Sequence, residues 1–175
     1  MATGDERVIP FMDKYFRYQL KMLPEKPLGH WTFWGEYRGG DNLEMVHWFY
    51  NLTGESYLLE LGELIHSQTV PWTEYFYTGD IFRTQNSLHC VNLGQGYKEP
   101  IIYYQQSKDP YQLEAMRRGG ETIRKTIGFP TGLWAGDEIL HFGNPTRGSE
   151  LCTAVEMMYS LEEMYRITGD NTYAD

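Results

Sequence analysis

Glu150 and Cys152 stand two residues apart where a glycine- and proline-rich stretch turns helical, offering a carboxylate and a thiol side by side. A thiolate and a carboxylate can share a zinc ion. The same pair also reads as a carboxylate favoured by the positive end of a helix dipole, next to a buried cysteine. Upstream, Asp137-Glu138 could supply a general acid, because cleavage of a glycoside needs a carboxylic acid to protonate the departing oxygen; a solvated acidic turn is the plainer alternative. Glu138 and His141 form a second pair at i, i+3, but on a glycine-rich segment that spacing carries little meaning. His89 opens His89-Cys90-Val91-Asn92 on an expected helix, where a lone histidine is more often a hydrogen-bonded core residue than a catalytic one. His30, His47 and His66 have no chemical partners around them in sequence and read as structural or exposed.

These residues need a scaffold, and the chain supplies one by repetition. Tyr50-Asn51-Leu52-Thr53-Gly54-Glu55 recurs as Tyr165-Arg166-Ile167-Thr168-Gly169-Asp170, with a more distant copy in Tyr104-Gln105-Gln106-Ser107-Lys108-Asp109. Thr53, Ser107 and Thr168 are thus 54 and 61 residues apart (107 − 53 and 168 − 107). Each copy reads as a helix end, a tight turn and the capped start of the next helix, the corner of an αα-hairpin. The same repeat accounts for Asn51-Leu52-Thr53, otherwise a glycosylation sequon.

Helical spacing flanks the corners. Leu43, Val46, Phe49 and Tyr50 follow an expected Asp41 or Asn42 cap. Leu58, Leu61 and Ile65 mark a return helix that must end before Pro71. Leu151, Val155, Met158, Leu161 and Tyr165 mark a helix from about 149 to 167. Thr3 and Glu6 have capping-box spacing ahead of Val8, Phe11, Met12, Tyr15 and Phe16, and Pro10 there implies a kink or a later start. Ile101-Ile102-Tyr103-Tyr104 would pass locally for a strand, yet the Ser107 corner demands a helix before it. From Gly128 to Cys152 the chain reads as a long connection, where the chemistry of a helical scaffold is often held.

Composition narrows the partners. The 14 Tyr, 8 Phe and 5 Trp imply either a ring-built core or a cleft of flat apolar faces on which sugars stack, with Trp34 a candidate for such a face. A net charge of −9 counts against nucleic acid. No apolar run approaches the roughly 20 residues of a membrane span, and the opening Met-Ala-Thr-Gly-Asp-Glu-Arg lacks a secretory pattern; the compartment stays unknown. Two widely spaced cysteines, Cys90 and Cys152, indicate no disulfide framework.

Taken together, His89-Cys90-Val91-Asn92, Gly136-Asp137-Glu138 and Gly148-Ser149-Glu150-Leu151-Cys152-Thr153-Ala154-Val155-Glu156, leading into Tyr165-Arg166-Ile167-Thr168-Gly169-Asp170, in this order along the chain, resemble the β-L-arabinofuranosidase-type enzymes of glycoside hydrolase family 127 and relatives. The resemblance spans nearly the whole chain. It implies an all-α (α/α)6 barrel and a carbohydrate substrate. It also implies a zinc ion held by Glu150 and Cys152 together with a later adjacent Cys pair, one of which is the nucleophile of a retaining reaction. Glu138 corresponds to the acid/base, with Asp137 as a register-shifted alternative, and His89 to a substrate-contacting histidine. Near Gly39-Gly40-Asp41-Asn42 those enzymes carry a further sugar-binding His; here Asp41 or Asn42 would bind hydroxyls instead, implying a different glycan preference.

A ring of six hairpins needs about 12 helices and roughly 350 residues at this repeat length. Residues 1–175 are therefore expected to form one partial helical-barrel catalytic domain, cut inside a hairpin at Thr172-Tyr173-Ala174-Asp175, inactive alone and prone to self-association through uncovered faces. Two rivals remain: a helical-barrel glycosidase using two carboxylates without metal, and a non-catalytic helical-repeat binding module.

Overall fold

The structure, a computed structural model, describes residues 3–30, 32–84, 89–140 and 144–174. The described residues are helical with no named strand, in two compact units, 1–69 and 70–175.

The first unit holds α1 (Val8–Met22), α2 (Trp34–Tyr37), α3 (Gly39–Thr53) and α4 (Tyr57–Gln68). Leu43, Val46 and Phe49 of α3 meet Leu58, Leu61 and Ile65 of α4, all with zero exposure. α1 lays Phe16 on that hairpin, its ring 5.4 Å from Phe49. At the rim the Arg17 guanidinium lies 4.0 Å over the Tyr57 ring, whose hydroxyl donates to Asp13 at 2.9 Å. Desolvation and that carboxylate push the Tyr57 phenol far above its ordinary value. Two details differ from the expected pattern. α3 begins at Gly39, so Asp41 and Asn42 sit inside its first turn rather than capping it. Pro10 causes no kink, because it is the third residue of α1 and its missing N–H is one that has no partner within a helix anyway.

The second unit holds α5 (Trp72–Thr78), α6 (Ile81–Thr84), α7 (Cys90–Tyr97), α8 (Glu99–Ser107), α9 (Pro110–Ile127) and α10 (Leu151–Thr168). Its core is aromatic at the centre: Trp72 and Phe76 stack at 5.7 Å, and Phe76 meets the edge of Tyr97 at 5.3 Å. Glycines let the helices approach. A Cβ on Gly96 would fall 2.2 Å from the Trp72 ring, and one on Gly119 would fall 2.8 Å from Phe76. The strand-like run Ile101–Tyr104 is helical, inside α8, where Ile101, Ile102 and Tyr103 are buried.

The repeated corner has one construction. Gly54, Lys108 and Gly169 cap their helices in the left-handed conformation, each N–H donating to the carbonyl four residues back, of Tyr50, Tyr104 and Tyr165. The preceding Thr53, Ser107 or Thr168 hydroxyl accepts from the N–H of the acidic residue that follows, Glu55, Asp109 or Asp170. A fourth copy, Tyr75-Phe76-Tyr77-Thr78-Gly79-Asp80, closes α5 in the same way. Its apolar interior, Phe76-Tyr77, masks the likeness in the sequence.

α10 is a helix where expected, but its faces are reversed. Leu151, Val155, Met158 and Tyr165 are 77, 53, 70 and 43 % exposed, while Thr153, Ser160, Glu163 and Met164 are buried. The cause is α7: Gly94 admits α10 so closely that a Cβ there would lie 3.1 Å from Glu156 Cβ, and Ser160 Oγ donates to the Gly94 carbonyl at 2.7 Å. The unbranched Cβ of Glu156 and the short Ser160 side chain fit so close an approach.

Candidate functional site

Two helix starts converge here. Cys90 at the head of α7 lies by Thr153 in the first turn of α10, and Gly94 lies by Glu156 and Ser160, so the helices run parallel with their N-termini together. Their positive dipole ends favour anionic groups at that end.

The 128–150 connection is folded onto the same end by short bridges. Ala135 N–H donates to the Ile127 carbonyl at 2.7 Å, Gly136 N–H to Gly148 at 3.1 Å and Glu150 N–H to Gly136 at 3.0 Å. Gly148 takes a φ of +75°, a turn that only glycine adopts readily. Ser149 Oγ donates to the Trp134 carbonyl. The tightest approach is at Gly136, where a Cβ would lie 2.7 Å from Cys90 Cβ. The result is that Glu150 becomes the N-cap of α10, with its backbone fixed by the loop and its carboxylate left to face α7.

Around that carboxylate the side chains gather. Cys90 Sγ lies 3.8 Å from Glu150 Oε2 and 2.8 Å from Thr153 Oγ1, and its S–H donates to the Asp137 carbonyl. The thiol is 1 % exposed, and burial first, then the nearby Glu150, push it up to about 11 against the pull of Thr153. His89 caps α7, its Nδ1 accepting from Val91 N–H at 3.1 Å. Its Nε2 lies 3.0 Å from Glu138 Oε2 and 3.9 Å from Glu150 Oε2. Glu138 itself is 83 % exposed at the side chain.

The expected site residues are thus distributed unevenly. His89, Glu138 and Glu150 come together. Asp137 contributes its carbonyl to Cys90, while its carboxylate accepts from Ile139 N–H at 3.2 Å and faces Arg147 at 3.8 Å. Cys152 is exposed, not the buried cysteine that the plainer reading of Glu150-x-Cys152 expects. His141 lies outside the described residues. Trp34, Asp41 and Asn42 belong to the first unit and are half-buried there; Arg38 lies 4.4 Å over the Trp34 ring. Cys90 and Thr153 were missed as site residues. Their only sequence signal is position beside a candidate: Cys90 directly follows His89 as the first residue of α7, and Thr153 directly follows the Glu150-Leu151-Cys152 run as the third residue of α10.

One ligand atom each from His89, Cys90 and Glu150 lies within 4.8 Å of the others. Thiol and carboxylate are donors that zinc accepts, so the chemistry of the set fits that ion. A cleft of about 1190 Å³ opens elsewhere in the second unit, between α9, the 128–134 turn and α10, and none of His89, Cys90, Glu138 or Glu150 lines it.

No curated protein and no solved structure matches the chain. The family description "Beta-L-arabinofuranosidase, GH127 catalytic domain" matches residues 1–175, in keeping with the Glu-x-Cys helix start, the loop carboxylate beside it and the all-helical scaffold. The chain belongs to the GH127 catalytic-domain family of glycoside hydrolases.

Proposed function

We propose that these residues form part of a retaining glycosidase acting on plant or other glycans, within a larger (α/α)6 barrel, with Glu138 as acid/base. One observation carries the reading: the Glu138 carboxylate, from the loop, meets the same His89 nitrogen that Glu150, from the Glu-x-Cys helix start, approaches. An exposed carboxyl at the edge of a buried polar cluster suits an acid that must reach a leaving oxygen and then exchange its proton with water. Glu150 and Cys152 would hold a zinc ion, with Cys90 a second sulfur beside Glu150; bound there, zinc would favour a neighbouring thiolate at neutral pH. Cys152 is proposed as a metal ligand rather than the nucleophile, and Cys90 is buried. The nucleophile is assigned to a cysteine outside these 175 residues. Asp41, Asn42 and Trp34 are proposed to contact the sugar.

The test is hydrolysis of aryl β-L-arabinofuranosides and a panel of other aryl glycosides by the enzyme that carries these residues. Glu138→Gln should lower kcat by roughly 10²- to 10⁴-fold on substrates with poor leaving groups, and far less where the leaving group needs no proton. An equal loss on both would overturn the assignment. The convergence of two carboxylates on His89 also favours a second reading, in which Glu138 and Glu150 act as a carboxylate pair without metal. Full activity after chelation and thiol blocking would select it.

A further inference from the structure

Accepting the Val91 N–H through Nδ1 constrains the other side of the His89 ring. A neutral imidazole has one bare nitrogen and one N–H. With the bare nitrogen occupied by the α7 cap at 3.1 Å, the proton must sit on Nε2. That nitrogen is the one 3.0 Å from Glu138 Oε2. The histidine is nearly enclosed, with 16 % of its side chain exposed, whereas Glu138 is 83 % exposed and rotates freely unless something holds it.

We propose that His89 is a positioning residue: by capping α7 with Nδ1 it fixes the Nε2–H tautomer, and that N–H aims the Glu138 carboxylate into the site. The proposal rests on the reading of Glu138 as acid/base. A corollary concerns the metal. In this tautomer His89 has no bare nitrogen to offer a cation, so the cluster with Cys90 and Glu150 supplies two donors rather than three, although the ring stands within reach. Recruiting Nε2 to a cation would require its proton to leave or the helix cap to open. The histidine thus stands between the metal donors and the acid, its Nε2 nearer to Glu138 at 3.0 Å than to Glu150 at 3.9 Å.

The experiment uses the full chain labelled with ¹⁵N and long-range ¹H–¹⁵N correlation of the imidazoles at neutral pH. His89 should show a bare Nδ1 and a protonated Nε2, unchanged when one equivalent of zinc chloride is added. A protonated Nδ1, or a metal-induced shift of Nε2, would overturn the proposal. In the enzyme, His89→Asn keeps a capping oxygen for Val91 N–H but cannot reach Glu138. Its kcat on an aryl β-L-arabinofuranoside should fall by about tenfold or more with KM little changed, as lost alignment of a catalytic group requires. A raised KM at unchanged kcat would mark a sugar-contacting residue instead and overturn it. Intact kcat in Glu138→Gln would overturn it through the acid/base reading, whereas a reversed tautomer would overturn it with that reading intact.

Discussion

Cys90 and Thr153 meet at 2.8 Å between sulfur and hydroxyl, a single contact that ties the first turn of α7 to the first turn of α10. Everything that surrounds Glu150 depends on those two turns lying together. Thr153 has zero exposure and Cys90 is 1 % exposed, so the contact is sealed from water and sensitive to small changes of volume.

Thiol reactivity should therefore be unequal. At neutral pH an alkylating reagent should modify Cys152 readily and leave Cys90 intact until the protein is denatured, as peptide mass mapping would show. Cys90 favours its protonated form in the fold, with its thiol raised from 9.0 to about 11. Its stabilising contribution is thus complete below about pH 9 and is lost as pH rises toward about 11. The difference in denaturation midpoint between the native chain and Cys90→Ala should shrink across that window. A difference that grew with pH would reverse the sign of the argument.

Gly136→Ala should disable the site without unfolding the protein. Its new methyl would meet Cys90 Cβ at 2.7 Å and Sγ at 3.3 Å, forcing the loop that carries Glu138 off the head of α7. Activity should fall by at least about tenfold, the scale of a misplaced catalytic group, while helix content by circular dichroism stays unchanged. Wild-type activity would mean that the loop can reseat.

Gly96→Ala is the opposite case, a change far from the chemistry that should cost stability. The methyl would lie 2.2 to 2.6 Å from three ring atoms of Trp72, a side chain with zero exposure. Overpacking of this kind costs about 1–3 kcal/mol, measurable as a lowered urea midpoint with an unchanged slope.

Lys108→Gly should be neutral to stabilising. Lys108 is the one non-glycine among the described residues with positive φ, at 57°, in a position that Gly54, Gly79 and Gly169 fill at the other corners. Relief of the left-handed strain is worth roughly 1 kcal/mol, partly offset by the greater freedom of glycine in the unfolded chain. The Lys108 ammonium also lies 5.5 Å from the Tyr104 ring, a contact worth about 0.5 kcal/mol when exposed. A raised melting temperature is expected, and a clear drop would show that the cation contact dominates.

Three of the four corners, and the helices that end at them, were legible from the sequence because both are local: a left-handed cap, a hydroxyl and an acidic starter write their own geometry. Of the residues singled out by type, His89, Glu138 and Glu150 lie together in the fold. Which face α10 buries was not legible. Leu151, Val155, Met158 and Tyr165 have the spacing of a core stripe, but the close approach to α7 is at Gly94, 57 residues away from Leu151 (151 − 94), and it brings Glu156 and Ser160 to that helix instead. Cys90 was passed over for the same reason, since its neighbours Gly136, Glu150 and Thr153 are remote in sequence. Periodicity reports that a helix has sides; it does not say what stands opposite each of them.

The corner described at Thr53, Thr78, Ser107 and Thr168 has a consequence for how such a chain can change over time. Each corner is self-contained in six residues, and the helices that end at these corners run from 7 to 18 residues. Length can therefore be added or removed between joints without rewriting a joint. The spans between joints can drift in length while the joints themselves stay the same.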